Sequence, residues 1–171
     1  MNITRWVSFT WDLAKADLPA LPAPRHYRIS VGGAEEQEEL QRVINKSLAL
    51  DPSWNSSLHE AKAIVANSIT RAVEVDSTLR LVLRHGTRVI GGTLLGADAN
   101  APEQLVPGPC VLMEYRNRGL GTLLLNAALR QLRESGLSRA CAITRDRSPA
   151  ARFVYPKFGG NPSPIAPLLA A

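Results

Sequence analysis

Strand-like and helix-like patterns follow one another along this 171-residue chain in the order strand, two helices, three strands, helix, strand, helix. That order predicts an α/β (α+β) domain around a central mixed sheet. Three observations carry the prediction: two strand-like runs, Leu79 to Arg84 and Val89 to Leu95, on either side of a turn at His85-Gly86-Thr87-Arg88, a broad apolar face at helical spacing from Gly119 to about Glu134, and a β-prone run, Arg139 to Thr144, directly after it. The length suits one domain of roughly 100–200 residues with a single core. Hydrophobic residues at 45%, charged residues at 20% and a net charge of +5 are a globular balance, not that of a disordered chain.

Prolines divide the chain into an arm (1–26), a body (27–160) and a tail (161–171). In the arm Ile3, Val7, Phe9 and Trp11 share one parity, so Ile3 to Trp11 reads as a strand, followed by an extended connector around Pro19, Pro22 and Pro24. The body opens with a strand, Tyr27 to Val31. Ala34 to Leu50 then places Leu40, Val43, Ile44 and Leu48 at helical spacing, and a second helix is expected from Ser57 to about Val73 after a surface loop, Asp51 to Asn55. Leu79 to Arg84 and Val89 to Leu95 form an antiparallel hairpin with Gly86 at the turn. Residues 97 to 103 are a polar loop. Val106 to Met113 is apolar and β-prone, but Pro107 and Pro109 have no N–H to give a ladder, so a bulge or a splayed strand is expected. In the helix from Gly119, residues Leu120, Leu123, Leu124, Ala127, Ala128 and Leu132 form the buried face, and Gly136 stands where a C-terminal cap belongs. Ser148-Pro149 supplies an N-cap and a first-turn proline for a short helix to about Tyr155, interrupted by Pro156.

Composition also argues against several functions. No apolar run approaches the roughly 18 residues of a membrane span, and Arg5 and Asp12 interrupt the N-terminal apolar segment, so a cytoplasmic protein with no membrane role is expected. Cys110 and Cys141 are the only cysteines and lie in short strand-like runs, which favours buried thiols over a disulfide or a metal site. His26, His59 and His85 have no metal-ligand spacing, and no metal is expected. Sixteen of the twenty basic residues are arginine, suited to forked contacts with carboxylates or phosphates. They are scattered, and with aromatics at 5% the chain does not read as a nucleic-acid binder.

The stretch that points to chemistry is Val111 through Thr122, a strand passing through a glycine-containing loop into a helix. Unpaired amides at a helix N-terminus, together with the positive end of its dipole, make a site for phosphate oxygens. Gly119 and Gly121 remove side chains that would block close approach, and Arg116 and Arg118 add formal charge. Glycines in this position also serve as turns. The loop is not of the Gly-Lys-Ser/Thr type, nor does it match Gly-x-Gly-x-x-Gly.

Here the chain resembles the GNAT superfamily of N-acetyltransferases. Arg116, Gly119 and Gly121 match the family's Arg/Gln-x-x-Gly-x-Gly/Ala loop, and Ser148 through Gly160 is similar to its Asn-x-x-Ala-x-x-x-Tyr-x-Lys-x-Gly-Phe element, with Ala151, Tyr155, Lys157 and Gly159 in register. The resemblance implies a mostly antiparallel sheet whose fourth and fifth strands splay, with acetyl-CoA as co-substrate and a primary amine of a small molecule or peptide as acceptor. Pantetheine would lie against Val111, Leu112 and Met113. The pyrophosphate would lie on the amides from Arg118 through Gly119, Leu120 and Gly121 to Thr122, with Ser148 at the family's Asn position. Tyr155 occupies the position of the acid that protonates the leaving thiolate, and otherwise packs the short helix onto the sheet. A phenol with a pKa near ~10 is still protonated at pH 7 and suits that role, whereas an alkylamine is deprotonated only about once in 2,500 molecules and needs a base. Glu103 could serve directly or through water, although an exposed loop carboxylate is the reading the sequence favours; Glu114 lies beside the phosphate loop. The resemblance also implies an acceptor pocket lined in part by the first two helices and their linker, which points to Asp51 and Trp54.

The chain departs from the family pattern at Ser148, at Pro156 and at Gly160, where the family has Phe. Only eleven residues follow Gly160, too few for two terminal strands, so those are expected to be shortened or missing. The arm strand is expected to cover the exposed sheet or close the site, within its own chain or across a homodimer. The alternative to an enzyme is a non-catalytic acyl-CoA-binding or regulatory module that has lost its acceptor wall.

Overall fold

The computed structural model describes residues 5–49, 63 and 78–165. The expected second helix, Ser57 to Val73, and the loop with Asp51 and Trp54 lie outside the described residues, as does Ile3. The elements are β1 (Trp6–Asp12), β2 (Tyr27–Gly32), α1 (Gln37–Ala49), β3 (Thr78–His85), β4 (Arg88–Gly96), β5 (Cys110–Val111), α2 (Leu120–Glu134), β6 (Arg139–Arg145) and β7 (Asn161–Pro164). They form two sheets, ordered β6-β1-β7 and β2-β3-β4-β5, with every pair antiparallel.

The arm strand runs through the middle of the smaller sheet, pairing with β6 on one side and β7 on the other within its own chain. Its parity has the consequence read from sequence: Val7, Phe9 and Trp11 are buried, while Trp6, Ser8 and Thr10 on the opposite face are half-buried. The tail does supply a strand, although only four residues long. Ile165 donates its N–H to Trp6, so by alternation Asn161 and Ser163 also face β1 and Pro162 and Pro164 face outward. Neither proline carries an N–H, and the outer edge of β7 therefore lacks the donors a further strand would need.

The expected strand from Val106 to Met113 is reduced to two paired residues, for the reason its prolines suggest. Leu105 bridges to Leu95 and Cys110 pairs with Gly92, so five steps of this segment oppose three of β4. The two extra residues bulge out over Pro107-Gly108-Pro109, secured by a hydrogen bond from the Thr93 hydroxyl to the Pro107 carbonyl at 2.6 Å. Met113 leaves the strand for a 3₁₀ turn with Glu114 and Tyr115.

Where the two sheets meet, Gln104 joins them. The Gln104 and Leu105 amides both donate to the Cys141 carbonyl, at 2.9 and 3.3 Å, and the Gln104 side-chain oxygen accepts from the Cys141 N–H at 2.8 Å. Its side-chain nitrogen donates to the Asp98 and Ala101 carbonyls. Beyond this junction β5 and β6 belong to different sheets, which is the splay between the fourth and fifth strands of the body.

Helix α2 fills the core with Leu124, Leu125, Ala128, Leu129 and Leu132, packed with Trp11, Leu13, Leu18, Ala140 and Ala142, while Leu120 at its start packs with Leu83, Ile90, Val111 and Leu112. Helix α1 buries Leu40, Ile44 and Leu48 against Val82, Val89 and Leu94. The short helix expected after Ser148 forms as a single wide turn, Ala150–Val154, in which Tyr155 N–H donates to the Ala150 carbonyl. No helix among the described residues is long and apolar enough to cross a membrane.

Candidate active site

The loop before α2 has the geometry of an anion cradle. Gly119 takes a left-handed conformation with φ +75° and no side chain caps the helix it starts, so the first-turn amides are left without a side-chain acceptor. Gly121 faces Val154 of the short helix, whose Cγ2 would stand 3.6 Å from a methyl group there. Lys157 places its ammonium 3.1 Å from the Thr122 hydroxyl, adding a cation at the first turn of α2.

The two arginines of the loop are held elsewhere. Arg116 donates to the Val111 carbonyl and, across the chain, to the Ser47 carbonyl at the end of α1, both at 3.0 Å. It clasps the loop to two elements. Arg118 donates to the Tyr27 hydroxyl at 3.0 Å and lies over the Tyr115 ring, 5.5 Å from its centre. Leu112 donates its amide to Ile90 at 2.9 Å, so that amide is committed to β4; by alternation the neighbouring Val111 amide faces away from β4, toward the gap between the sheets. Met113 is exposed at the mouth of the loop. Ser148 is buried and its hydroxyl accepts from the Ala151 N–H at 3.1 Å beside the Thr144 hydroxyl, the N-cap role read from sequence.

Tyr155 is buried at 3% exposure, with its ring edge-on to Phe9 at 5.5 Å and to Trp11 at 5.7 Å. Trp11 in turn donates to the Lys157 carbonyl at 3.0 Å. The phenol reaches the proline-flanked bulge, where a methyl group on Gly108 would overlap its hydroxyl. Glycine at 108 is thus a spatial requirement of this tyrosine. Gly160, where the family has Phe, lies against the Tyr155 carbonyl and the Trp11 indole, and leaves no room for a side chain. Burial first, then the charges of Cys110 and Glu103, hold the Tyr155 phenol protonated far above its ordinary range.

Glu103 corrects the expectation of an exposed loop carboxylate. It is half-buried, and burial pushes its carboxyl up to about 7 despite a hydrogen bond from the Ile143 backbone. Glu114 behaves in the opposite sense: its own backbone amide and then Arg88, 3.2 Å away, hold it below the usual carboxylate range. The sequence reading gives no role to Gln104 or Gly108, and it names Lys157 only as a residue in register with the second motif. A glycine between two prolines and the lysine two residues after Tyr155 were the available signals. The burial of Glu103 had none, because it depends on a junction between segments far apart in the chain.

Comparison with known proteins agrees with this geometry. Among solved structures the fold is similar to a GCN5-related N-acetyltransferase from Sphaerobacter thermophilus (TM-score 0.67, 12% identity, 95% of this chain and 50% of that one). It is also similar to one from Kribbella flavida (TM-score 0.55, 18% identity, 96% and 56%) and to a functionally unknown conserved protein from Staphylococcus epidermidis (TM-score 0.60, 16% identity, 95% and 59%). The chain spans about half the length of these structures. A search of curated proteins finds no match. The profile of the acetyltransferase (GNAT) family matches residues 49–159. The strand-loop-helix cradle, the splayed sheets and the buried tyrosine between them therefore belong to a member of the GNAT acetyltransferase family.

Proposed function

We propose that the protein transfers an acetyl group from acetyl-CoA to a primary amine by direct attack within a ternary complex. One observation carries the reading: a neutral, buried phenol reaches the bulge where the sheets diverge, and the short helix that bears it also touches the uncapped N-terminus of α2. The residues fit the cofactor. Gly119, Leu120, Gly121 and Thr122 would offer amides and Lys157 a cation to the pyrophosphate, while Val111 and Met113 would line the pantetheine arm. Arg116 shapes this cradle and Arg118 stands at its rim. Acetyl-CoA supplies an activated thioester; Tyr155 holds a proton for the departing sulfur and, flanked by Phe9 and Trp11, keeps it in a fixed place.

Acetyl-CoA at millimolar concentration is expected to raise the melting temperature, since a ligand selective for the folded state must stabilise it. Tyr155→Phe is expected to lower turnover by on the order of 100-fold while leaving the cofactor's affinity within about threefold. The absence of a thermal shift would sink the reading. A shift without CoA release over a broad amine panel would favour the non-catalytic acyl-CoA-binding module instead.

A further inference from the structure

Away from the cradle, the short helix and the inner face of β1 and β7 bound a cavity of about 500 Å³, a size in the range of small-molecule sites. We propose that this cavity binds a small amphipathic carboxylate, an acid whose aromatic or branched body rests on Phe9 and whose carboxylate lies between Arg147 and Arg152.

Strand parity makes the deep end apolar. Val7 and Phe9 turn to the inner face of β1, and Pro162, opposite Phe9 in the register, shares that face. The short helix is a single turn, Ala150–Val154, with Pro156 soon after it, so Ala151 and Pro156 wall the space over these strands instead of filling it. Val7, Phe9 and Ala151 are buried, whereas Asp146, Arg147 and Arg152 are exposed and form the mouth. The cavity shares no residue with the cofactor cradle: Val154 faces Gly121 and Lys157 reaches Thr122, and neither lines it. Phe9 stands between the cavity and Tyr155, its ring meeting the phenol ring edge-on at 5.5 Å. A ligand here would rest on the back of the wall that holds the tyrosine.

Charge at the mouth selects the ligand's head group. Two guanidiniums and one carboxylate leave one positive charge in excess, and they are not paired with one another: among the described residues neither Arg147 nor Arg152 forms a salt bridge. Arg152 lies over the Phe153 ring, 5.3 Å from its centre, and the Arg147 side chain makes no hydrogen bond among the described residues. Arg147 also holds φ +65°, a turn conformation that glycine or asparagine adopts at lower cost. A monoanion balances this mouth. A phosphate monoester, with nearly two negative charges, would leave one in excess beside Asp146. A planar carboxylate also matches the forked donors of a guanidinium, and its apolar body gains from the dry floor. Binding here does not depend on acetyl transfer.

The test is calorimetry and amide NMR on the full chain with phenylpropionate, beside phenylpropanol, which keeps the apolar body and lacks the charge. Phenylpropionate is expected to bind with a Kd of about 1 mM or tighter. It should shift the Val7, Phe9 and Ala151 amides and keep its affinity in the presence of millimolar CoA. Phenylpropanol with the wild type, and phenylpropionate with the double variant Arg147→Gln, Arg152→Gln, are each expected to bind at least about tenfold more weakly. The variant should melt within about 2 °C of the wild type, because exposed side chains without ion pairs carry little stability. No binding at about 10 mM, equal affinity for the alcohol, or undiminished binding to the variant overturns the site. Displacement of the acid by CoA overturns it by giving the space to the cofactor, and a dimer in sedimentation that excludes the acid overturns it by giving the space to a second copy.

Discussion

At the scale of single residues, the site is set by where side chains are missing as much as by where they are present. Tyr155 can occupy the bulge only because position 108 is glycine, and it can turn its carbonyl toward the 160 position only because that too is glycine. Gly108→Ala is therefore expected to displace the phenol. It should cost roughly 1–3 kcal/mol of stability, as small-to-large changes in a packed site do, and lower turnover at least about tenfold while sparing cofactor affinity at the α2 loop. Urea unfolding and a comparison of kcat with the cofactor Kd would check this, and an unchanged kcat would remove the packed position of Tyr155 from the mechanism. Arg116 gives a second lesson. Its match to the family loop is visible in the sequence, but the carbonyls of Val111 and Ser47 that receive its guanidinium are not, because one of them is 69 residues away.

At the scale of elements, β1 is the least dispensable strand of the smaller sheet. It lies between β6 and β7, and its Phe9 and Trp11 form the aromatic wall that holds Tyr155. Removing residues 1–22 would leave β6 with an open edge and β7 with no partner at all. The truncated chain is expected to lose cooperative unfolding and to aggregate. Trp11→Ala, a milder change at a fully buried position, should cost roughly 3–5 kcal/mol. Thermal unfolding followed by tryptophan fluorescence and light scattering would show both, and a truncated protein as soluble and active as the whole would refute the role given to β1. The period-two parity of this strand was legible in the sequence. Its partners were not, because a strand in isolation carries no record of which edge it will fill.

At the scale of the whole molecule, two sheets that diverge must still be held at one end, and Gln104 does this. Its side chain makes three hydrogen bonds, one to β6 and two to the polar loop. Gln104→Ala would leave the buried Cys141 amide without its acceptor, at about 1–3 kcal/mol for the unpaired group in addition to the bonds lost. It should also loosen the placement of Glu103, one residue away. The expected outcome is a lowered melting temperature together with a fall of the Glu103 carboxyl's titration toward the ordinary range as it regains solvent, read by carbon-13 NMR of glutamate-labelled protein. A melting temperature equal to that of the wild type would show that the junction is held by other contacts.

The sequence by itself determined the local order of this protein: the parity of β1, the hairpin around Gly86, the apolar face of α2, the Ser148 cap, the proline-broken strand and the two motifs that place the chain beside the acetyltransferases. Each of these depends on residues within a few positions of one another, where spacing and backbone chemistry suffice. The tertiary structure alone decided that the arm completes the sheet from within, that Arg116 braces the loop, and that Glu103 is drawn out of solvent beside Tyr155. These follow from contacts between segments distant in the chain, and burial, which sets the proton affinity of both Glu103 and Tyr155, exists only once those segments have met.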